Sequence, residues 1–411
     1  MKKRYYLFSI IFVVFISLFI LFWAPFLSGN RLGPIDWDWQ WFYKYLSFIR
    51  ESWRANRLPV FSYLMTPFLA NGETSAFFPL SFLLKYYWVI DYIKINLAIH
   101  YLAGFFGLWM IFNKLMINKS LLIIAALISL FNGNIYAHFY IGHYGWITLL
   151  LLPLLYGLYL YKDDHWIYPI SIGALVASTY YEGGQHVVIW YGMLLFILFV
   201  IEFLYDRKKA KFLLLNIGII AGTTILFALA KLLPSQHLYH DYYNSNSVVL
   251  GGFESWRDLF VNLTTGIFKN TGGEHYKWTL MWWEQYSYIG QVVSLFFILY
   301  LIKPLQKRSR EEVSLLAVAF VFLISSYNQV WYYLAKILPV SVILSQRHPS
   351  RLVVVFIFAL SILVSIWLNR VMKLIENKSL QIIVIAATTI FLATDYILVN
   401  HENFKYNAKN Y

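Results

Sequence analysis

Gly33 to Arg57 reads GPIDWDWQWFYKYLSFIRESWRANR, and the helix written into it decides how the rest of the chain is read. From Trp41 onward Phe42, Tyr45, Leu46, Ile49 and Trp53 recur at steps of three and four. Gln40, Lys44, Ser47, Glu51 and Arg54 repeat on the other side. A helix with aromatic anchors on one face and charges on the other lies flat in the headgroup zone of a membrane. Because it follows directly on an apolar run, it holds Asp36 and Asp38 at the membrane surface. What those two carboxylates face is the question the remaining sequence has to answer.

Composition agrees with a membrane. Of 411 residues, 60% are hydrophobic and 13% charged, whereas soluble domains carry roughly a quarter of charged residues. The net charge of +13 would suit a polyanion, but the basic residues sit in clusters at the ends of apolar runs. Clusters so placed report orientation in a bilayer, and they argue against a nucleic-acid partner. The chain has no cysteine, which excludes disulfides and thiolate metal sites. Lys2-Lys3-Arg4 opens an apolar run from Tyr5 to Leu27. That run exceeds the roughly 7–15-residue core of a secretory signal and no small-x-small cleavage site follows it, so it reads as a retained first span.

A span needs about 20 apolar residues. Runs near that length lie at 6–27, 95–113, 120–138, 146–161, 167–182, 187–204, 213–233, 287–303, 313–327, 352–369 and 380–398. The expectation is an all-α polytopic membrane protein with about 11 transmembrane helices, a single domain over 1–398. With the N-terminus cytoplasmic, the short basic turns all fall inside: Lys114 and Lys119; Lys162; Arg207-Lys208-Lys209 with Lys211; Lys303, Lys307, Arg308 and Arg310; Arg370, Lys373 and Lys378. The longer connections, 28–94, 234–286 and 328–351, fall outside, and so does a short C-terminal tail at 399–411. Within the outer loops, Phe77–Ile90 and Val330–Val342 are too short to span and read as re-entrant or interfacial pieces. Long ordered loops gathered on one face locate function there. The localisation read from this is the plasma membrane.

Asp38 stands where an N-cap would, its side chain on otherwise unpaired amides. Asp36, two residues after Pro34, has no such duty and is the stronger candidate for a general base, since a carboxylate beside a low-dielectric slab is raised toward the range a base needs. The Asp-x-Asp spelling is also that of the metal-binding pair of soluble nucleotide-sugar transferases, so a divalent metal is the one cofactor left open. His237, His240 and Asp241 are a weaker metal set, more simply loop histidines. Gly142-His143-Tyr144-Gly145 and Glu182-Gly183-Gly184-Gln185-His186 put ionisable side chains at outer span ends beside glycines that let a ligand or another backbone approach. Trp282-Trp283-Glu284-Gln285-Tyr286 adds an acid at the same depth, its tryptophans reading as an interface belt. In Gln346-Arg347-His348-Pro349-Ser350-Arg351, two arginines on the outer face suit bidentate phosphate recognition, against the plainer reading of snorkelling side chains.

The order of these pieces resembles a known family. After the first span come Asp36-Trp37-Asp38, then Arg50…Leu58-Pro59, Ala70-Asn71-Gly72 and Phe78-Pro79-Leu80. Gly142-His143, Leu152-Pro153-Leu154, Glu182-Gly183-Gly184, Tyr288-Ile289-Gly290 and Arg347-x-Pro349-Ser350-Arg351 continue the series. It resembles bacterial multi-span proteins of the GT-C glycosyltransferase superfamily, near the YfhO-like and mannosyltransferase-like (PMT-type) members, over most of residues 1–370. The chain departs from the group at Leu58-Pro59-Val60-Phe61-Ser62-Tyr63, where Pro-x-Trp-Asn-Pro is common. The resemblance implies a cell-envelope transferase whose first outer loop supplies an acidic residue that activates the acceptor. The donor would be a polyprenyl-phosphate sugar, and the acceptor a glycan, a lipid or a protein. By position the catalytic role falls on Asp36 or Asp38 and the phosphate role on Arg347 and Arg351, with His348, Glu182, His186, His143 and Glu284 around them. The alternatives are a transporter or flippase of lipid-linked sugars, disfavoured by spans almost free of charge, and a non-catalytic protein that keeps the fold.

Overall fold

A computed structural model describes residues 2–28, 38–59, 75, 78–243, 252–265, 284, 286–302, 307–337 and 348–407. Asp36 and Arg347 lie outside them; of His237, His240 and Asp241 only the backbone is described. The chain is helical. Among the described residues no strand forms, and an isolated bridge pairs Phe253 with Tyr327.

The helices are α1 (Lys2–Ser28), α2 (Trp39–Arg54), α3 (Val89–Lys114), α4 (Leu122–Leu130), α5 (Gly133–Tyr140), α6 (Leu152–Leu160), α7 (Ile167–Tyr181) and α8 (Gln185–Tyr205). They continue as α9 (Ala210–Tyr243), α10 (Trp256–Thr265), α11 (Gln291–Leu301), α12 (Arg310–Ser325), α13 (Asn328–Ile337), α14 (Val353–Leu374) and α15 (Lys378–Asn407). Short 3-10 turns precede α3 at Pro79–Lys85, α6 at Tyr144–Leu151 and α14 at Pro349–Leu352. Among the described residues six helices are apolar and long enough to cross a membrane: α1, α3, α8, α9, α14 with its 3-10 turn, and α15. The α4–α5 pair, bent by 44°, makes a seventh if it is one broken span. The expected count of eleven is not reached by length. Tyr144–Leu160 and α11 are apolar but short, and α7 and α12 have 15 and 16 residues. The chain is thus a membrane protein by its apolar helices.

Burial sorts them. The sequence of α14, VVVFIFALSILVSIWL, is apolar all round, as a helix surrounded by protein must be; it packs against α4, α11 and α12 at the centre of the bundle. Elsewhere α3 lies along α6 and α7 along α9. The amphipathic reading of residues 39–54 holds: α2 buries Trp39, Leu46 and Ile49 and exposes Trp41, over whose ring Lys44 sits at 5.1 Å. The membrane-length part of α15 ends at Asn400, and the helix runs on to Asn407. The Val330–Val342 piece begins inside α13, which ends at Ile337.

The basic turns do gather at one end. Lys114 pairs with Asp164 at 2.8 Å, Lys162 with Glu202 at 2.8 Å, and Arg310 with Glu202 at 3.7 Å; Arg370 closes on Glu312. The chain reverses between these turns, so the start of α2 and the segments 140–145, 182–187 and 348–351 meet at the opposite end.

Candidate functional site

The site is built where the start of α2 touches the turn after α5. Gly142 makes this possible: its φ is +95°, and a Cβ there would strike the backbone nitrogen of Trp39. The Trp39 indole Nε1 donates to the Tyr140 carbonyl at 3.0 Å and pins the two segments together. Asp38 stands at the N-cap position but makes no side-chain cap bond, so the capping role expected of it is not the one it plays. Its backbone oxygen receives the Trp41 and Phe42 N–H groups, both at 3.0 Å. Its carboxylate is thereby released to His143, with Oδ2 2.9 Å from Nε2.

The chain of contacts continues inward. His143 Nδ1 lies 2.8 Å from His138 Nδ1, and a nitrogen–nitrogen bond of that length needs one protonated and one bare partner. The His138 ring lies flat on Trp146, centroids 3.9 Å apart and planes 6° from parallel. Its far nitrogen, Nε2, is buried without a hydrogen-bond partner among the described residues. Exposure falls along the series, from half for the Asp38 side chain to 15% for His143 and nil for His138. The series thus runs from a half-exposed carboxylate at the surface to a fully buried imidazole.

Arg351 enters from the 3-10 turn ahead of α14. Its Nε and Nη2 both donate to the Glu284 carboxylate, and its guanidinium carbon is 5.1 Å from the Trp146 ring. Burial pushes the Glu284 carboxyl up, but the charges of Arg351 and His348 outweigh it and hold the group well below the usual carboxylate range. The fork has five N–H donors, so two bonds to Glu284 leave donors for a second anion.

Asp38, His143, His186 and Arg351 line one cavity of ≈ 130 Å³, with Gly145, Trp146, Gly183 and Gly184 in its wall. The two glycine turns meet backbone to backbone, since a Cβ on Gly145 would come within 2.6 Å of the Gly183 carbonyl. Asp38 and Arg351 thus share one cavity. His348 is half-buried beside it and adds its charge to the field around Glu284 and His186. A second cavity of ≈ 220 Å³ adjoins the start of α2, lined by Trp23, Phe26, Trp39, Tyr136, Phe139 and Tyr140.

Glu182 is placed differently from its expectation. At the end of α7 its side chain turns away from the cavity and is fully buried. It accepts from Asn96 and meets His100 Nε2 at 2.8 Å, while Asn96 also donates to Tyr144. The helical spans are accordingly not free of ionisable groups. Three residues of this end escaped the sequence reading, His138, Asn96 and His100; the only trace of each is a polar letter in an apolar run. Among the described residues no group of three or more His, Asp or Glu is placed to hold a metal ion. The Nδ1–Nδ1 contact of His138 and His143 leaves no room for one between them.

No family model, curated protein or solved structure matches the chain.

Proposed function

We propose that the chain is an integral-membrane glycosyltransferase that moves a sugar from a polyprenyl-phosphate donor to an acceptor hydroxyl at the outer face of the membrane. One observation carries the reading: Asp38 and Arg351 line the same small cavity, at the end of the bundle opposite the basic turns. With those basic turns cytoplasmic, the cavity opens outward. Asp38 is the base. His143 holds one of its oxygens, and the other accepts the acceptor's proton. The acceptor oxygen bonds to the anomeric carbon as the carbon–oxygen bond to phosphate breaks, with inversion. The electron pair leaves on phosphate, where the Arg351 donors not used by Glu284 stabilise it. The adjoining aromatic cavity suits an isoprenoid tail.

The test offers the purified protein polyprenyl-phosphate sugars and compares wild type with Asp38→Asn. General-base assistance is worth about 10²–10⁴-fold, and a loss of that size is expected with donor binding intact. Full transfer by the variant would remove the proposal. A carrier of lipid-linked sugars is the second reading, favoured by the His100–Glu182 pair inside the helical bundle, where ionisable groups mark transport paths. Movement of intact donor across vesicles, without cleavage, would establish it instead.

A further inference from the structure

A groove of ≈ 1020 Å³ opens at the basic end, far along the helices from the cavity of Asp38. Leu7 and Phe8 of α1 and Trp109 of α3 form apolar wall, Lys119 and Lys373 supply two cations, and among the described residues no carboxylate lines it. Those cations differ from their neighbours. Lys114, Lys162, Arg310 and Arg370 each meet an Asp or Glu, whereas among the described residues Lys119 and Lys373 meet none. The Lys119 ammonium lies 4.2 Å from the Trp109 ring centroid, held by a cation–π contact that leaves its charge uncompensated. Asn369 accepts the Asn118 N–H at 3.0 Å through its oxygen, which keeps its NH₂ as a further donor.

From this geometry we infer that the groove binds an anionic phospholipid, its phosphate between Lys119, Lys373 and the Asn369 amide and its acyl chains along Leu7, Phe8 and Trp109. Basic pockets between membrane helices take lipid headgroups of this charge. The volume far exceeds that of an inorganic phosphate, and the apolar wall lies on α1 and α3, helices long enough to cross the bilayer, so the occupant is a lipid. The inference does not depend on the reaction proposed for the opposite end.

The experiment titrates the purified full chain in detergent with phosphatidylglycerol or phosphatidylcholine and counts bound lipid by native mass spectrometry. Phosphatidylglycerol should be retained preferentially. Lys119→Gln with Lys373→Gln should weaken its retention about 25-fold, each cation near an anionic headgroup being worth about a factor of five. The Lys119→Arg, Lys373→Arg pair should retain it, and inorganic phosphate should not displace it. Equal retention of the two lipids by wild type, unchanged retention by the Gln pair, or displacement by inorganic phosphate would each overturn the assignment. The wild-type comparison of lipids decides the matter even if the Gln pair does not fold.

Discussion

At the basic end of the bundle Lys162 and Arg310 close on Glu202, and Arg370 closes on Glu312; at the opposite end Arg351 closes on Glu284 and His143 on Asp38. The pairs use the same chemistry and differ in what lies beside them. Glu202 has Tyr159 as a further donor, at 2.7 Å, and Glu312 has Tyr300, at 2.9 Å. These acids are saturated by their own protein and tie turns together. Asp38 gives one oxygen to His143 and Arg351 two donors to Glu284, and both side chains still border a cavity. An ion pair by itself does not mark a site; one with bonding capacity left over, facing space, does.

The comparison can be broken most severely at Asp38. Asp38→Asn should lower sugar transfer by about 10²–10⁴-fold, while Glu202→Gln, measured in the same assay, should leave transfer by the folded fraction unchanged. Next is Glu284→Gln, which strands the Arg351 charge in a buried place and should destabilise by about 3–5 kcal/mol, read as a lowered melting temperature in detergent. Removing both partners, with Glu284→Met and Arg351→Met, should recover much of that stability and none of the activity.

The same pair has a pH signature. The Glu284 carboxyl is depressed in the folded protein, so its contribution is complete above the unfolded carboxylate's pKa of about 4.3 and is lost as pH falls through the folded value. Melting temperature followed downward in pH should therefore fall more steeply below that point in wild type than in the double Met variant. Gly142→Ala should cost about 1–3 kcal/mol through its left-handed backbone. It should also reduce transfer by moving Asp38 from His143. The smallest effect belongs to Arg370→Gln at the other end, where a side chain about one-third exposed makes a pair worth about 1 kcal/mol or less.

Much of this was legible before coordinates. The 39–54 helix could be read residue by residue because its two faces meet different media, and periodicity records that contrast. Asp38, His143, His186 and Arg351 were visible as polar letters at the ends of apolar runs, and they converge. What sequence could not supply is which helix lies against which. Glu182 reads as a site residue because it stands at an outer span end beside Gly183 and Gly184, yet Asn96 and His100, one turn apart on α3, draw it inward. Glu284 and Arg351 are 67 positions apart, and nothing local joins them. His138 sits in NGNIYAHFY, where its role comes wholly from the fold around it. Span counting carries less far: among the described residues six or seven helices are long and apolar enough to cross, and the remaining apolar runs form helices shorter than about 20 residues.

The break between α4 and α5 sets a rule for anyone retailoring this molecule. In hydrocarbon each orphaned peptide group costs several kcal/mol, so an interrupted helix survives only if its neighbours adopt the loose ends. Tyr101 donates to the Leu130 carbonyl at 2.9 Å, Asn132 to that of Ser129 at 2.9 Å, and the Gly133 N–H reaches the Tyr288 carbonyl at 3.3 Å. Side chains bordering the cavity are open to exchange in search of new specificity. Tyr101 and Asn132, which line none of the cavities described above, are the letters that must be copied unchanged.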